Sequence, residues 1–130
     1  MAVAKDGTIM AIQLAAEEPA DELVRSLPRI FSVREVWCGL SNITNDGIRE
    51  LVNKFPNVRR IDLQWCGSVD SGAAPILAKL QHLEKVYIEA PTFLSDEELR
   101  AEIECWQRNL GTRWEPDMTK KEFRWTDFEW

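Results

Sequence analysis

The side chains in this sequence that could do covalent, metal or acid–base chemistry are three cysteines, one histidine and several runs of carboxylates. Cys38, Cys66 and Cys105 stand far apart with no Cys-x-x-Cys spacing, and His82 is the sole histidine, so a zinc site lacks its ligands. A reactive thiol wants an exposed, positive setting. Cys105 instead has Glu102 and Glu104 as sequence neighbours, and His82 has no serine, cysteine or carboxylate constellation around it. Paired carboxylates occur at Asp96-Glu97-Glu98, at Glu17-Glu18 and at Asp21-Glu22. Each cluster opens a segment of helical character and complements the positive end of that helix. No glycine-rich phosphate loop, Gly-x-Ser-x-Gly elbow or His-Glu-x-x-His is present. The chain offers neither a nucleophile nor a general base, and the expectation is no catalytic, cofactor or metal site: not an enzyme.

Length and charge narrow the class further. A chain of 130 residues is one domain by the usual prior, long enough to bury a core. Its net charge of −6 argues against nucleic acid, because phosphate binding needs clustered Lys and Arg. The apolar stretches fall short of the roughly 18–20 residues that cross a bilayer, so no membrane span is expected. An odd number of unclustered cysteines reads as reduced thiols. With no secretory or presequence pattern after Met1, the expectation is an intracellular, reducing compartment, without choosing between cytoplasm and mitochondrion.

What must position any working surface is a repeat. A triplet of apolar residues spaced +3 and then +2 occurs four times: Ile9/Ile12/Leu14, Val33/Val36/Cys38, Val58/Ile61/Leu63 and Leu83/Val86/Ile88. The starting positions are separated by 24, 25 and 25 residues, and four in even register are hard to attribute to chance. The last two members of each triplet face one side of a strand. After each strand comes a turn and an amphipathic helical stretch. Ile48, Leu51, Val52 and Phe55 follow Thr44 as N-cap, and Leu99, Ile103, Trp106 and Leu110 follow the capping box Ser95–Glu98. Asp21 is the expected cap before Leu23, Val24 and Leu27; Ala73, Ala74, Ile76, Leu77 and Leu80 form the third stretch, with Pro75 early enough to be tolerated. Strand, turn and helix within about 25 residues force parallel strands with the helices on one face. The fold class read from this is α/β, a leucine-rich-repeat solenoid of about four units (9–32, 33–57, 58–82 and 83–110), with a lead-in at 1–8 and an aromatic tail at 111–130.

The segment Val58-Arg-Arg-Ile-Asp-Leu-Gln-Trp-Cys66, running on to Val69-Asp-Ser-Gly72, resembles the cysteine-containing, ribonuclease-inhibitor-like leucine-rich repeat. In that family a Cys or Asn three residues past the strand turns the chain. The second unit keeps Ile43, Thr44 and Gly47 but has Ser41 in the cysteine's place. The resemblance covers roughly residues 9–106. Among short members it is similar to the coupling factor B (subunit s) group of mitochondrial ATP synthase and to respiratory assembly factors. It implies a non-catalytic scaffold, an accessory or assembly subunit of a larger complex, binding protein and no small-molecule substrate. The alternative it implies is a substrate-receptor or adaptor module of the F-box repeat kind, although no F-box precedes the array.

On such a sheet the residues between the triplet positions point away from the helices. One stripe is Ala11, Glu35, Arg60, Lys85; the central one is Gln13, Trp37, Asp62, Tyr87. Trp and Tyr on a solvent-facing surface beside Arg60 and Asp62 are residue types that dominate interface energetics, so Glu35, Trp37, Arg60, Asp62, Lys85 and Tyr87 are the candidate partner surface. Four strands spaced about 4.8 Å apart give only a few hundred Å², less than the roughly 800 Å² a stable partner covers. Loops or the tail must then contribute. Phe123, Trp125, Phe128 and Trp130 make that tail too aromatic for a disordered segment, suited either to capping the array or to anchoring a partner. The repeated Trp-Cys-Gly is a coincidence of composition: Trp37 lies four residues after its triplet start and Trp65 seven after its own.

Overall fold

The computed structural model describes residues 2–3, 6–14, 17, 19–89 and 94–116, and Phe123, Trp125, Phe128 and Trp130 lie outside them. Six strands form one sheet in chain order: β1 (Ala2–Val3), β2 (Ile9–Gln13), β3 (Glu35–Trp37), β4 (Arg60–Asp62), β5 (Lys85–Tyr87) and β6 (Trp114–Glu115). Strands β2 to β6 are parallel, and β1 pairs antiparallel with β2 at the edge. The pairings Ile12↔Val36↔Ile61↔Val86 run straight across the sheet, the register that the apolar triplets predict. Four helices return the chain: α1 (Ala20–Ser26), α2 (Asn45–Lys54), α3 (Ala74–Leu77) and α4 (Asp96–Leu110). They contact one another in sequence order. The result is an α/β fold with a five-strand parallel sheet.

The core lies between the sheet and these helices. Val33, Val36, Cys38, Val58, Ile61, Leu63 and Val86 from the strands pack in one buried cluster with Val24, Ile48, Leu51, Phe55, Leu77, Trp106 and Leu110. Thr44 caps α2 through the Asp46 N–H, and Ser95 caps α4 through the Glu98 N–H, both at 3.2 Å. The third helix is shorter than its apolar pattern. Ser71–Ala73 precede it as a 3-10 turn, and the bonds Lys79 N–H to Ile76 C=O and Leu80 N–H to Leu77 C=O tighten the chain after it.

Asp21 is a correction. It lies inside α1 rather than capping it, and the Ala20 N–H is taken instead by Asn42 Oδ1 at 2.9 Å. The Asp21 carboxylate reaches the next unit, accepting the Thr44 N–H at 2.9 Å and the Thr44 hydroxyl. The same kind of bridge recurs where Asn45 Nδ2 donates to Asp70 and where the Ser71 N–H and hydroxyl donate to Glu102. The starts of α1, of α2 and of the turn before α3 are thus each tied to the next unit, and these acids are structural. Two described segments outside residues 9–110 also join the sheet, β1 and β6. β1 falls within the lead-in, and Trp114 at the start of the tail is buried, stacks on Trp106 with ring centroids 6.2 Å apart and donates to the Ile88 carbonyl at 3.1 Å.

Candidate functional site

Much of the stripe expected to face solvent is covered, although Gln13 is exposed. Glu35, Asp62 and Tyr87 are 0%, 3% and 1% exposed, and Trp37, Arg60 and Lys85 are half-buried. The alternation is right, since Tyr87 sits outside the main core cluster, yet pointing away from the helices is not the same as being open. Rungs about 4.8 Å apart crowd long side chains against shorter ones, and the register sets Arg60 between Glu35 and Lys85 and Asp62 between Trp37 and Tyr87. Their polar groups are engaged. Glu35 accepts the Trp37 indole N–H, Asp62 accepts the Gln64 N–H at 2.9 Å, and Lys85 donates to the Thr112 carbonyl at 3.1 Å. Arg60 lies 3.9 Å from Glu84.

The open apolar surface lies at the C-terminal end of the strands. Leu40 and Trp65 are 65% and 69% exposed, the two most exposed large apolar side chains among the described residues. Both have positive φ, at 65° and 59°, and no other described residue except a glycine does. Each is the third residue of a turn, closed by the Ser41 N–H to the Cys38 carbonyl in one case and by the Cys66 N–H to the Leu63 carbonyl in the other. A left-handed third position is the one that turns reserve for Gly or Asn. Each lies seven residues after its triplet start, Val33 or Val58, so they occupy equivalent places on adjacent rungs. The Leu40 N–H bonds the Gln64 carbonyl at 2.8 Å, and the Trp65 N–H bonds Glu89 Oε1 at 3.1 Å, locking the two turns to their neighbours. The outcome is a fixed apolar ridge of two rungs. Trp65 was visible in the sequence only as half of a tripeptide coincidence; the signal that marks it is that Leu40 shares its phase.

Behind the ridge the cysteines serve packing. Cys66 donates its thiol to the Cys38 carbonyl at 3.0 Å and lies 3.8 Å from the Ser41 hydroxyl, so Ser41 stands in the cysteine's place on the preceding rung. Burial pushes both the Cys38 and the Cys66 thiols up from their ordinary value, away from the reactive thiolate. Cys105 is half-buried and donates to the Ser71 carbonyl at 3.4 Å. Among the described residues no group of three or more His, Cys, Asp or Glu side chains is arranged to hold a metal ion, and no helix is long and apolar enough to cross a membrane. Comparison of the chain with known protein families, curated proteins and solved structures finds no match.

Proposed function

We propose that this chain is a non-catalytic protein-binding scaffold, a short leucine-rich-repeat solenoid that works as an accessory or assembly subunit of a larger complex in a reducing compartment. The observation that carries the reading is the Leu40–Trp65 ridge. A large apolar side chain held left-handed costs roughly 1–2 kcal/mol relative to a residue suited to that conformation. The chain bears that cost on two adjacent rungs and leaves both side chains mostly in water. Folding gains little from this, whereas a rigid, exposed Trp beside a Leu is a suitable centre for a protein interface. The ridge offers on the order of 300 Å², well below a stable interface of about 800 Å² per partner. It is an anchor around which exposed neighbours such as Asn42, Gly67 and Ser68 form the rim. The buried stripe through Trp37 and Tyr87 supports the sheet in this reading and is not the docking face.

The test is affinity purification of the tagged full chain from its native source beside a Leu40→Asn, Trp65→Asn double variant. Asn tolerates positive φ, so the fold should persist while a partner held by wild type disappears. If every protein recovered with wild type is recovered equally with the variant, the ridge reading fails.

A further inference from the structure

At the opposite end of the strands the same register builds a second feature, a cleft of about 390 Å³ that shares no residue with the ridge. Two rows line it. The residues one place before each triplet are Thr8, Ser32, Asn57 and His82; one place after come Met10, Arg34 and Arg59, and Phe31 forms a wall, 60% exposed. The walls are fixed. Ser32 Oγ donates to the Ile9 carbonyl at 2.6 Å and Asn57 Nδ2 to the Phe31 carbonyl at 3.0 Å. Bonds from the Arg34 N–H to Met10 and from the Arg59 N–H to Arg34, at 2.8 and 2.7 Å, hold the two arginine backbones on adjacent rungs.

Charge is what sets this cleft apart. Among the described residues no acidic side chain lines it, although the chain as a whole carries −6. Arg34 and Arg59 are exposed and join no ion pair among the described residues, and His82 is exposed beside them. Two described acids stand close to these rows in the sequence, each with another partner. Glu84, next in the arginine row, faces Arg60, and Asp6 accepts the Thr8 N–H and hydroxyl. Arg29 adds a further cation at the rim, its guanidinium 5.6 Å from the centre of the Phe31 ring. Like charges held side by side on a sheet are destabilising, and no described carboxylate forms an ion pair with either arginine.

We propose that the cleft binds an oxyanion borne on an extended peptide segment of a partner, with Arg34 and Arg59 sharing one phosphate or carboxylate. Guanidinium groups on rungs about 4.8 Å apart suit a planar or tetrahedral oxyanion through charge-assisted, forked hydrogen bonds. The His82 ring supplies a further donor, and exposed Phe31 covers the apolar part of a side chain. From Thr8 to His82 is three rung intervals, about 14 Å, which four extended residues span. A nucleic acid would require a longer basic track in a chain of this charge. The proposal stands on the cleft alone and does not depend on the ridge.

Fluorescence anisotropy with three labelled peptides of one sequence, bearing phosphoserine, glutamate or serine at the central position, tests it. The full chain should bind the phosphoserine or the glutamate peptide, or both, at least about tenfold tighter than the serine peptide, a difference of about 1.4 kcal/mol. The Arg34→Gln, Arg59→Gln double variant should lose that preference with an unchanged circular dichroism spectrum, and raising salt to about 0.5 M should erode it. The phosphoserine and glutamate arms identify which oxyanion is taken, and Leu40→Asn with Trp65→Asn should leave these affinities alone. Equal binding of all three peptides, no binding up to about 1 mM, or full retention by the double arginine variant would overturn the assignment.

Discussion

Replacing Trp65 with Asn separates a side chain that builds the fold from one that the fold displays. The indole is 69% exposed, so truncation removes only about a third of a full burial. Full burial of a large apolar side chain is worth roughly 1.5–3 kcal/mol, and a third of that is under about 1 kcal/mol. Against this, Asn relieves a φ of 59°, a gain on the order of 1 kcal/mol. The two nearly cancel, and thermal unfolding followed by circular dichroism should shift by less than about 4 °C. Binding should behave differently. Loss of a hot-spot Trp costs about 2 kcal/mol or more, roughly thirtyfold in Kd, measurable by calorimetry once the partner is in hand. Trp106→Ala is the contrast, because that ring is 1% exposed and its removal should cost about 3–5 kcal/mol. A Trp65→Asn protein that melts more than about 8 °C early would show the indole to be holding the turn together, and the reasoning from strain to display would be wrong.

Gly47→Ala should destabilise, although Ala normally improves a helix. A Cβ there meets Asp21 Oδ1 at 2.0 Å and Ile43 Cγ1 at 2.6 Å, so urea unfolding should report a loss of about 1–3 kcal/mol, and a rise in stability would show that Asp21 moves aside freely. Ser95→Ala removes the acceptor for the Glu98 N–H and should cost about 1 kcal/mol by the same assay. In a thiol titration with a bulky disulfide reagent, Cys105 should react first while buried Cys38 and Cys66 respond only on unfolding; immediate reaction of all three would contradict the packing. The pH dependence follows from the same burial. Folded Cys38 and Cys66 hold their protons above the ordinary thiol value of 9.0, so the unfolded chain deprotonates first. Their contribution is therefore intact below pH 9 and lost as pH climbs toward the folded-state values; urea midpoints that stay flat from pH 8 to pH 10 would refute it.

Much of the backbone was legible because it follows from short-range rules. Apolar triplets recurring at 24 or 25 residues leave a strand one way to keep its apolar face inward, and so the register Ile12↔Val36↔Ile61↔Val86 could be read before any coordinates. Thr44 and Ser95 were recognisable as caps because a cap bonds an N–H two or three residues away. Asp21 was misread for the complementary reason: its partner is Thr44, on the next unit, and no local pattern announces it.

The candidate site divides along the same line. Periodicity told which residues point away from the helices, but Glu35, Asp62 and Tyr87 are buried, a property of assembled rungs. Leu40 and Trp65 carry apolar types that by themselves suggest a core. Only the closed turns, with their left-handed third residue, turn both outward on adjacent rungs. Arg34 and Arg59 look like ordinary solvated charges until adjacent rungs bring them together over one cleft. Composition and spacing therefore determined the ladder, through interactions a few residues long. The tertiary structure decided which side chains the ladder hides and which it presents, because exposure depends on neighbours some 25 residues away in the chain and one rung away in space.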